Sequence, residues 1–344
     1  MPLDVLVDGF SHRFGGGVAY LAGLLPALAR QPAVRRVQLI VEPDSALAAR
    51  LAGSPVELDE VRLRPPGSLI SRAIWESTAL PGRAEGTVVI APAAMLPRRP
   101  GAPVVAVPHN ALPFEAGGAR NAVQLRAIGR TLAWSSGAIF VTEHMRQIVA
   151  RRYPIPPVNG VVHHGVADVF FDGVATTPPR HDIVCIADAY PHKRLGLLLS
   201  AWRLLGADRP PLRFIGRGVA EFIEPEHGVT FQEGLTTAEV AQTLRATRLV
   251  VLPSARESFG LPALEALATG TPLVVSDIPA YREITGGHAT LVAGDSAEMW
   301  AAAMRLALGS ALSSERARTW ARQFTWERCA DRTVSILERA AART

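Results

Sequence analysis

Short runs rich in Val, Ile and Leu punctuate the chain: VLV (5–7), VQLIV (37–41), TVVIA (87–91), VVAV (104–107), AIFVT (138–142), DIVCIA (182–187), LRFIG (212–216), LVVLP (249–253) and PLVVS (272–276). Each is continuously apolar rather than alternating, the pattern of a strand covered on both faces, and longer helical patterns separate them. The rhythm predicts parallel sheets flanked by helices, an α/β fold. It breaks at GVADVFFDGVATTPPRHD (165–182), where Gly, Pro, Thr and Asp replace periodic apolar residues. That stretch reads as a linker between two doubly wound halves. A helical tail from about Ser313 to Thr344 follows the last strand signal and is expected to pack across both halves.

Composition fits two cores, since 344 residues, 48% of them apolar, exceed what a single core usually serves. No run approaches the ~18 apolar residues of a spanning helix, and Met1-Pro2-Leu3-Asp4 enters a strand-like run without a basic flank or cleavage site. A soluble cytoplasmic protein without a signal is expected. Cys185 and Cys329 lie far apart with no Cys or His at metal-ligand spacing, so both read as reduced core residues. The net charge of +5 sits in residues 1–180, with 18 Arg against 13 Asp and Glu, whereas residues 181–344 carry 18 basic against 18 acidic. Such an excess suits an anionic membrane face, an acidic partner or a plainly solvated surface. Nothing resembles a nucleic-acid-binding arm. Of 36 basic side chains, 35 are Arg and one is Lys193.

Candidate chemistry lies where strands give way to helices. In LVVLPSARESFGLPALEALATG (249–270) a buried strand leads through a loop to a helix starting at Leu261-Pro262 and stopping at Gly270. Free N–H groups of a first turn suit a phosphate. Glu257 in the loop and Glu265, read as lying on that first turn, would flank the phosphate and accept hydrogen bonds from sugar hydroxyls; alternatively they are a solvated Glu and a dipole-favouring one. In FSHRFGGGVAYLAG (10–23) a strand exits into Gly15-Gly16-Gly17, suited to a diphosphate or to a plain tight turn. Tyr20 stands where the dinucleotide fingerprint needs its third glycine. His12 and Arg13 are placed to assist a phosphate or to lie at the surface. VVAVPHN (104–110) puts His109 at a strand's carboxyl end, where α/β ligands bind, although a lone His is also a common structural residue. CIADAYPHKRLGLLLSAW (185–202) places Lys193 in a similar loop, a compact cation suited to a diphosphate unless its retention is chance.

Together these motifs resemble the family-four retaining glycosyltransferases, of GT-B architecture, over nearly the whole chain. The most specific part is PSARESFGLPALEALATGTPLVVSDIPAYREI, carrying Glu257-x7-Glu265 and the downstream Glu283. LRFIGRG, VTFQEGLTTAEV, VTEHMRQIVARR, the HHGV turn (163–166) and Thr325-Trp326-Glu327 support it. The resemblance implies two Rossmann-like domains facing across a cleft: an acceptor-binding domain at 1–165 plus a crossing helix at about 326–344, and a nucleotide-sugar-binding domain at 166–325. It implies that Glu257 binds donor-sugar hydroxyls and Glu265 the ribose. Ser258, Phe259, Gly260 and Leu261 would meet sugar and phosphate, and Lys193 the diphosphate. Gly16 and Gly17 would close over the diphosphate, His109 would contact the transferred sugar, and Gly216, Arg217, Gly218, Gly234 and Leu235 would sit by the nucleobase. One departure stands out: Ala187-Asp188 replaces the family's Gly-Arg, so Arg194 or Arg217 would have to supply the missing guanidinium. His164 replaces the Asn of an Asn-Gly-Val turn.

The resemblance implies a reaction that moves a hexose from a nucleoside-diphosphate sugar to an acceptor hydroxyl with retention, and the Tyr-Pro-His-Lys-Arg loop resembles those of bacterial mannosyl- and rhamnosyl-transferases, which favours mannose or a deoxyhexose such as rhamnose. Bacterial polysaccharide or glycoconjugate assembly is the expected setting, with a glycan, glycolipid or small-molecule acceptor. A peripheral contact with the inner membrane face, through Arg98-Arg99 and Arg151-Arg152, is also open. Neither cofactor nor metal is expected, for no Asp-x-Asp pair is present. Rival readings are a nucleotide-sugar epimerase of the same architecture, an oxidoreductase suggested only by the three glycines, and a non-catalytic sugar-binding scaffold.

Overall fold

A computed structural model describes residues 2–12, 15–172, 181–309 and 314–343. Arg13 and residues 173–180 of the expected linker lie outside them. The chain forms two compact units, Met1–Gly165 with Phe324–Thr344, and Val166–Gln323.

The first unit is built on a seven-stranded sheet of β1 (Leu3–Asp8), β2 (Val34–Val41), β3 (Glu57–Glu60), β4 (Val88–Ala91), β5 (Val104–Ala106), β6 (Gly137–Phe140) and β7 (Asn159–Val161). Its order is β3-β2-β1-β4-β5-β6-β7 and every pairing is parallel. The central strands are continuously buried, as runs such as VVIA require when both faces are covered. The helix Gly15–Ala29 presses Tyr20, Leu21, Leu24, Leu25 and Leu28 into this core. The terminal helix Trp326–Ala341 starts at Thr325, whose hydroxyl accepts from the Arg328 N–H, and buries Cys329, Ala330, Thr333, Ile336, Leu337 and Ala340. That spacing of three and four residues gives one apolar stripe, laid against the helix Gly15–Ala29 and strands β4 to β6. Gly23 makes the approach possible, because a Cβ there would come within 2.1 Å of the Trp326 indole. Gly165 serves the same contact: its Cβ would meet the Trp326 nitrogen at 2.2 Å.

The second unit holds β8 (Ile183–Ile186), β9 (Leu212–Ile215), β10 (Val229–Gln232), β11 (Leu249–Leu252), β12 (Leu273–Ser276) and β13 (Thr290–Val292), in the order β10-β9-β8-β11-β12-β13, again all parallel. Both sheets reverse direction beside their first strand, β1 against β4 and β8 against β11. These are the switch points where loops diverge and ligands bind in open α/β sheets. Trp202 and Trp300 fill the second core, each donating its indole N–H to a backbone carbonyl, of Pro210 at 2.7 Å and of Gly294 at 3.1 Å.

The α/β reading holds, and all nine apolar runs are strands. Four further strands, β3, β7, β10 and β13, were not expected. Both cysteines are free and buried. Among the described residues no helix is long and apolar enough to cross a membrane.

Candidate functional site

The switch point of the second sheet carries an ion pair. Past β8 the chain makes a single helical turn, Pro191–Lys193, and Arg194 then takes left-handed angles (φ 52°, ψ 41°) before the helix Leu195–Arg203 begins. Past β11 the loop brings Glu257 opposite, and Lys193 Nζ donates to Glu257 Oε1 at 2.6 Å across the junction. The two loops are also stitched by backbone, the Ala255 N–H donating to the His192 carbonyl at 2.7 Å. The side chains are only 19% and 14% exposed, so the pair is largely dry. Tyr281, buried on the helix Pro279–Thr285, donates to the same Oε1 at 3.2 Å. Burial pushes the Glu257 carboxyl upward, but the Lys193 charge and hydrogen bond, with a bond from Ser254, outweigh it and hold it below its ordinary value. Burial, reinforced by the Glu257 charge, keeps the Tyr281 phenol well above its own. Beneath them the buried Cys185 thiol is pushed up to about 12.

The helix Leu261–Ala268 starts beside this pair. Gly260 precedes it at φ 95°, and a Cβ there would meet the Tyr281 ring at 2.6 Å, so turn and contact both demand glycine. Pro262 occupies the first turn and Gly270, at φ 70°, ends the helix. The Thr271 N–H donates to the Ala266 carbonyl and the Gly270 N–H to the Leu267 carbonyl, which closes the end. Phe259 and Leu261 are buried; Ser258 is half-buried. One expectation needs correction: Glu265 is the fifth helical residue, on the second turn, because the helix starts only at Leu261. That sets its backbone about 6 Å along the axis from the start, although its Cα–Cβ bond points back toward it.

Next to β8, the loop after β9 carries Gly216, Arg217 and Gly218. Gly216 passes so close to the β8 exit that a Cβ would lie 2.1 Å from the Ala187 carbonyl. Asp188 accepts from the Arg217 N–H at 3.0 Å and from its guanidinium at 2.6 Å. The residue that departs from the family pattern thus holds an arginine beside the place of the missing one. Arg194 instead pairs with the exposed Asp295 at 2.5 Å. Glu233 accepts from the Gly218 N–H at 2.9 Å, drawing in the loop of Gly234 and the half-buried Leu235. Asp188, Tyr190, Arg217, Glu221 and Phe222 line a cavity of about 420 Å³.

In the first unit the glycines are themselves the start of the helix Gly15–Ala29, not a loop before it. Gly16 faces open space, whereas a Cβ on Gly17 would strike the His12 ring at 2.2 Å. His12 lies edge-on to His109, with ring centroids 5.4 Å apart, and His109 Nε2 stands 3.1 Å from His164 Nε2 in stacked rings. Tyr20 packs on both, at 4.9 Å from His109 and 4.5 Å from His164. Burial lowers all three imidazoles, His109 to about 4 and the others well below their ordinary value. They are therefore neutral at physiological pH. Among the described residues no group of three or more His, Cys, Asp or Glu is placed to hold a metal ion.

At the end of β1, Asp8 pairs with buried Arg72 at 3.0 Å, and Arg72 also binds Glu76. Burial, then the Asp8 charge, pushes Glu76 up to about 8. Sequence reasoning missed this network, since its members are spread over 64 to 68 residues and match no motif. It also gave His164 no role, the only signal being a histidine where the resemblance expects Asn.

Residues 180–310 match the family model described as "Glycosyl transferases group 1". A D-inositol 3-phosphate glycosyltransferase of Gordonia bronchialis is 34% identical over 141 residues, 39% of this chain and 30% of that protein. An MMP alpha-(1->4)-mannosyltransferase of Mycolicibacterium hassiacum is 31% identical over 187 residues, 48% of this chain and 44% of that protein. The matched stretch thus spans less than half the length of either relative. The crystal structure of Anabaena Alr3699/HepE in complex with UDP-glucose superposes with a TM-score of 0.79 at 17% identity, covering 97% of this chain and 99% of that one. That likeness establishes the two-domain GT-B fold.

Proposed function

We propose that the chain, whose residues 180–310 match the family model of the group 1 glycosyl transferases, is a retaining glycosyltransferase that moves a hexose from a nucleoside-diphosphate sugar to an acceptor hydroxyl. The observation that carries the reading is the Lys193–Glu257 pair at the switch point of the second sheet, beside the start of the helix Leu261–Ala268. An ammonium has three N–H donors; Glu257 takes one and aims the other two. Lys193 and the helix start would stabilise charge growing on the departing diphosphate while the acceptor attacks the same face. Arg217, steered by Asp188, would supply a guanidinium to the same leaving group, and Glu265 would receive the ribose hydroxyls. His109 would meet the transferred sugar as a neutral hydrogen-bonding group. No metal or cofactor is needed in this scheme.

Mannose or a deoxyhexose is the donor sugar this reading favours, supported by the Tyr190-to-Arg194 loop and by the mannosyltransferase among the relatives. A glycolipid acceptor and a peripheral membrane contact are supported by the basic first half and by Leu69, Ile70 and Ile74, which the helix Leu69–Thr78 leaves 60% to 76% exposed. A cytoplasmic setting and bacterial glycoconjugate assembly follow from the same reading.

The test is a panel of nucleoside-diphosphate sugars screened for thermal stabilisation, followed by transfer assays with and without EDTA. One donor class should stabilise the protein and be transferred with its anomeric configuration kept, undiminished by chelator. Donor turnover without any acceptor would indicate an epimerase instead. Stabilisation without turnover, unchanged in Glu257→Gln, would indicate a binding scaffold.

A further inference from the structure

The neutral histidine cluster gives His109 a partner that the sequence pattern does not supply. His164 follows β7 and is 1% exposed, with its ring packed against those of Tyr20 (centroids 4.5 Å apart) and Trp326 (6.1 Å). Rings so confined cannot flip or tilt without disturbing the packing of the helix Gly15–Ala29 against the terminal helix. The two Nε2 atoms lie 3.1 Å apart, hydrogen-bonding distance, so one must carry the proton and the other the lone pair. The tautomers of His164 and His109 are therefore locked to each other. His109 is the less buried of the two, and with Nε2 engaged its other ring nitrogen is the one left to meet a ligand.

We propose that His164 is a positioning residue: it fixes the ring orientation and tautomer of His109, so that His109 addresses the donor sugar through Nδ1 alone. The kinetic part rests on the glycosyltransferase reading; the tautomer part does not. Tyr20 supports the arrangement by packing beneath both rings, which accounts for a bulky residue where a dinucleotide-binding helix would carry glycine. His12 packs edge-on against His109, its own ring seated against Gly17.

The experiment compares wild type with His164→Phe, which keeps a stacking ring and removes the hydrogen bond, and His164→Gln, whose amide can serve either polarity. Nitrogen NMR of histidine-labelled protein reads the tautomer of His109, and donor kinetics separate kcat from KM. Wild type should show one neutral His109 tautomer, and His164→Phe a mixture. Loss of alignment should lower kcat by about tenfold to a hundredfold with KM for the donor little changed, and His164→Gln should recover part of that loss. An unchanged His109 spectrum in a folded His164→Phe would overturn the proposal, as would an equal loss in both variants. If wild type transfers no sugar, the glycosyltransferase reading has failed, yet the NMR comparison still decides the role of His164. Should His164→Phe not fold, the Gln variant and the wild-type tautomer carry the same test.

Discussion

Replacing Lys193 by Met isolates the physics of the switch-point pair, since Met keeps most of the volume and removes the charge. With Nζ and Oε1 2.6 Å apart, Coulomb attraction at an effective dielectric of about 20 amounts to roughly 6 kcal/mol. Desolvating two ions costs several kcal/mol each, so the pair's net contribution is far smaller than its attraction. Breaking it is another matter, because Glu257 is left in a dry site with a charge and no counter-ion. A loss of about 3–5 kcal/mol at neutral pH is expected, equal to about 6–20 °C in the melting of the unit formed by residues 166–323.

The pH dependence makes the argument specific. In wild type the Glu257 carboxyl lies below its ordinary value, so the pair's stabilisation is present above the unfolded value of about 4.3 and is lost as pH falls through the lower folded value. In Lys193→Met burial dominates and the carboxyl rises above that unfolded value, so the penalty builds as pH climbs through it. The stability gap between the two proteins should be smallest below the lowered folded value of wild-type Glu257, already partly open near pH ~4.5, and grow further toward pH ~7.5. Urea titrations at several pH values measure it. Lys193→Met/Glu257→Gln, which leaves no buried charge, should recover most of the loss. A gap independent of pH, or a double variant worse than the single, would refute the reasoning.

The other expectations are simpler. Glu76, raised to about 8 by burial and Asp8, should make the first unit lose stability by about 1 kcal/mol per pH unit as pH rises from the ordinary carboxylate range to its folded value; Glu76→Gln should flatten that slope in thermal melts, and an unaltered slope would contradict the assignment. Gly23→Ala drives a methyl into the Trp326 indole and should cost about 1–3 kcal/mol, read as a lower melting temperature with Trp326 fluorescence shifted; a neutral result would mean that the terminal helix has room to move. Asp188→Ala releases Arg217 and should weaken nucleoside-diphosphate binding about tenfold, as loss of a charge-assisted contact does, with Arg217→Ala no worse when added. Tighter binding would show Asp188 to be screening Arg217 instead of aiming it.

How much of this was legible in the sequence follows from what burial does to composition. The nine apolar runs are the strands with neighbours on both sides, such as β4, β6, β11 and β12, whose four residues are all buried. The four missed strands are the four sheet edges, β3 and β7 in one sheet and β10 and β13 in the other. An edge strand has one backbone side unpaired and more of its surface in water, so ELDE and VTFQ need not be apolar and continuous apolarity cannot reveal them. The site obeys the same division. Lys193 was legible because it is the one lysine among arginines, and Glu257 because its spacing matches a motif; their contact across 64 residues was not, since only the meeting of the β8 and β11 exits creates it. For His12, Tyr20, His109 and His164 the signals were separate: a residue placed to assist a phosphate or to lie at the surface, an aromatic where a glycine was needed, a histidine at a strand's carboxyl end, an altered turn. Each is odd by itself because its reason for being there is the other three. A buried cluster assembled from distant loops leaves several unexplained residues in a sequence, and it is their meeting at the carboxyl end of one sheet that makes them one packed cluster.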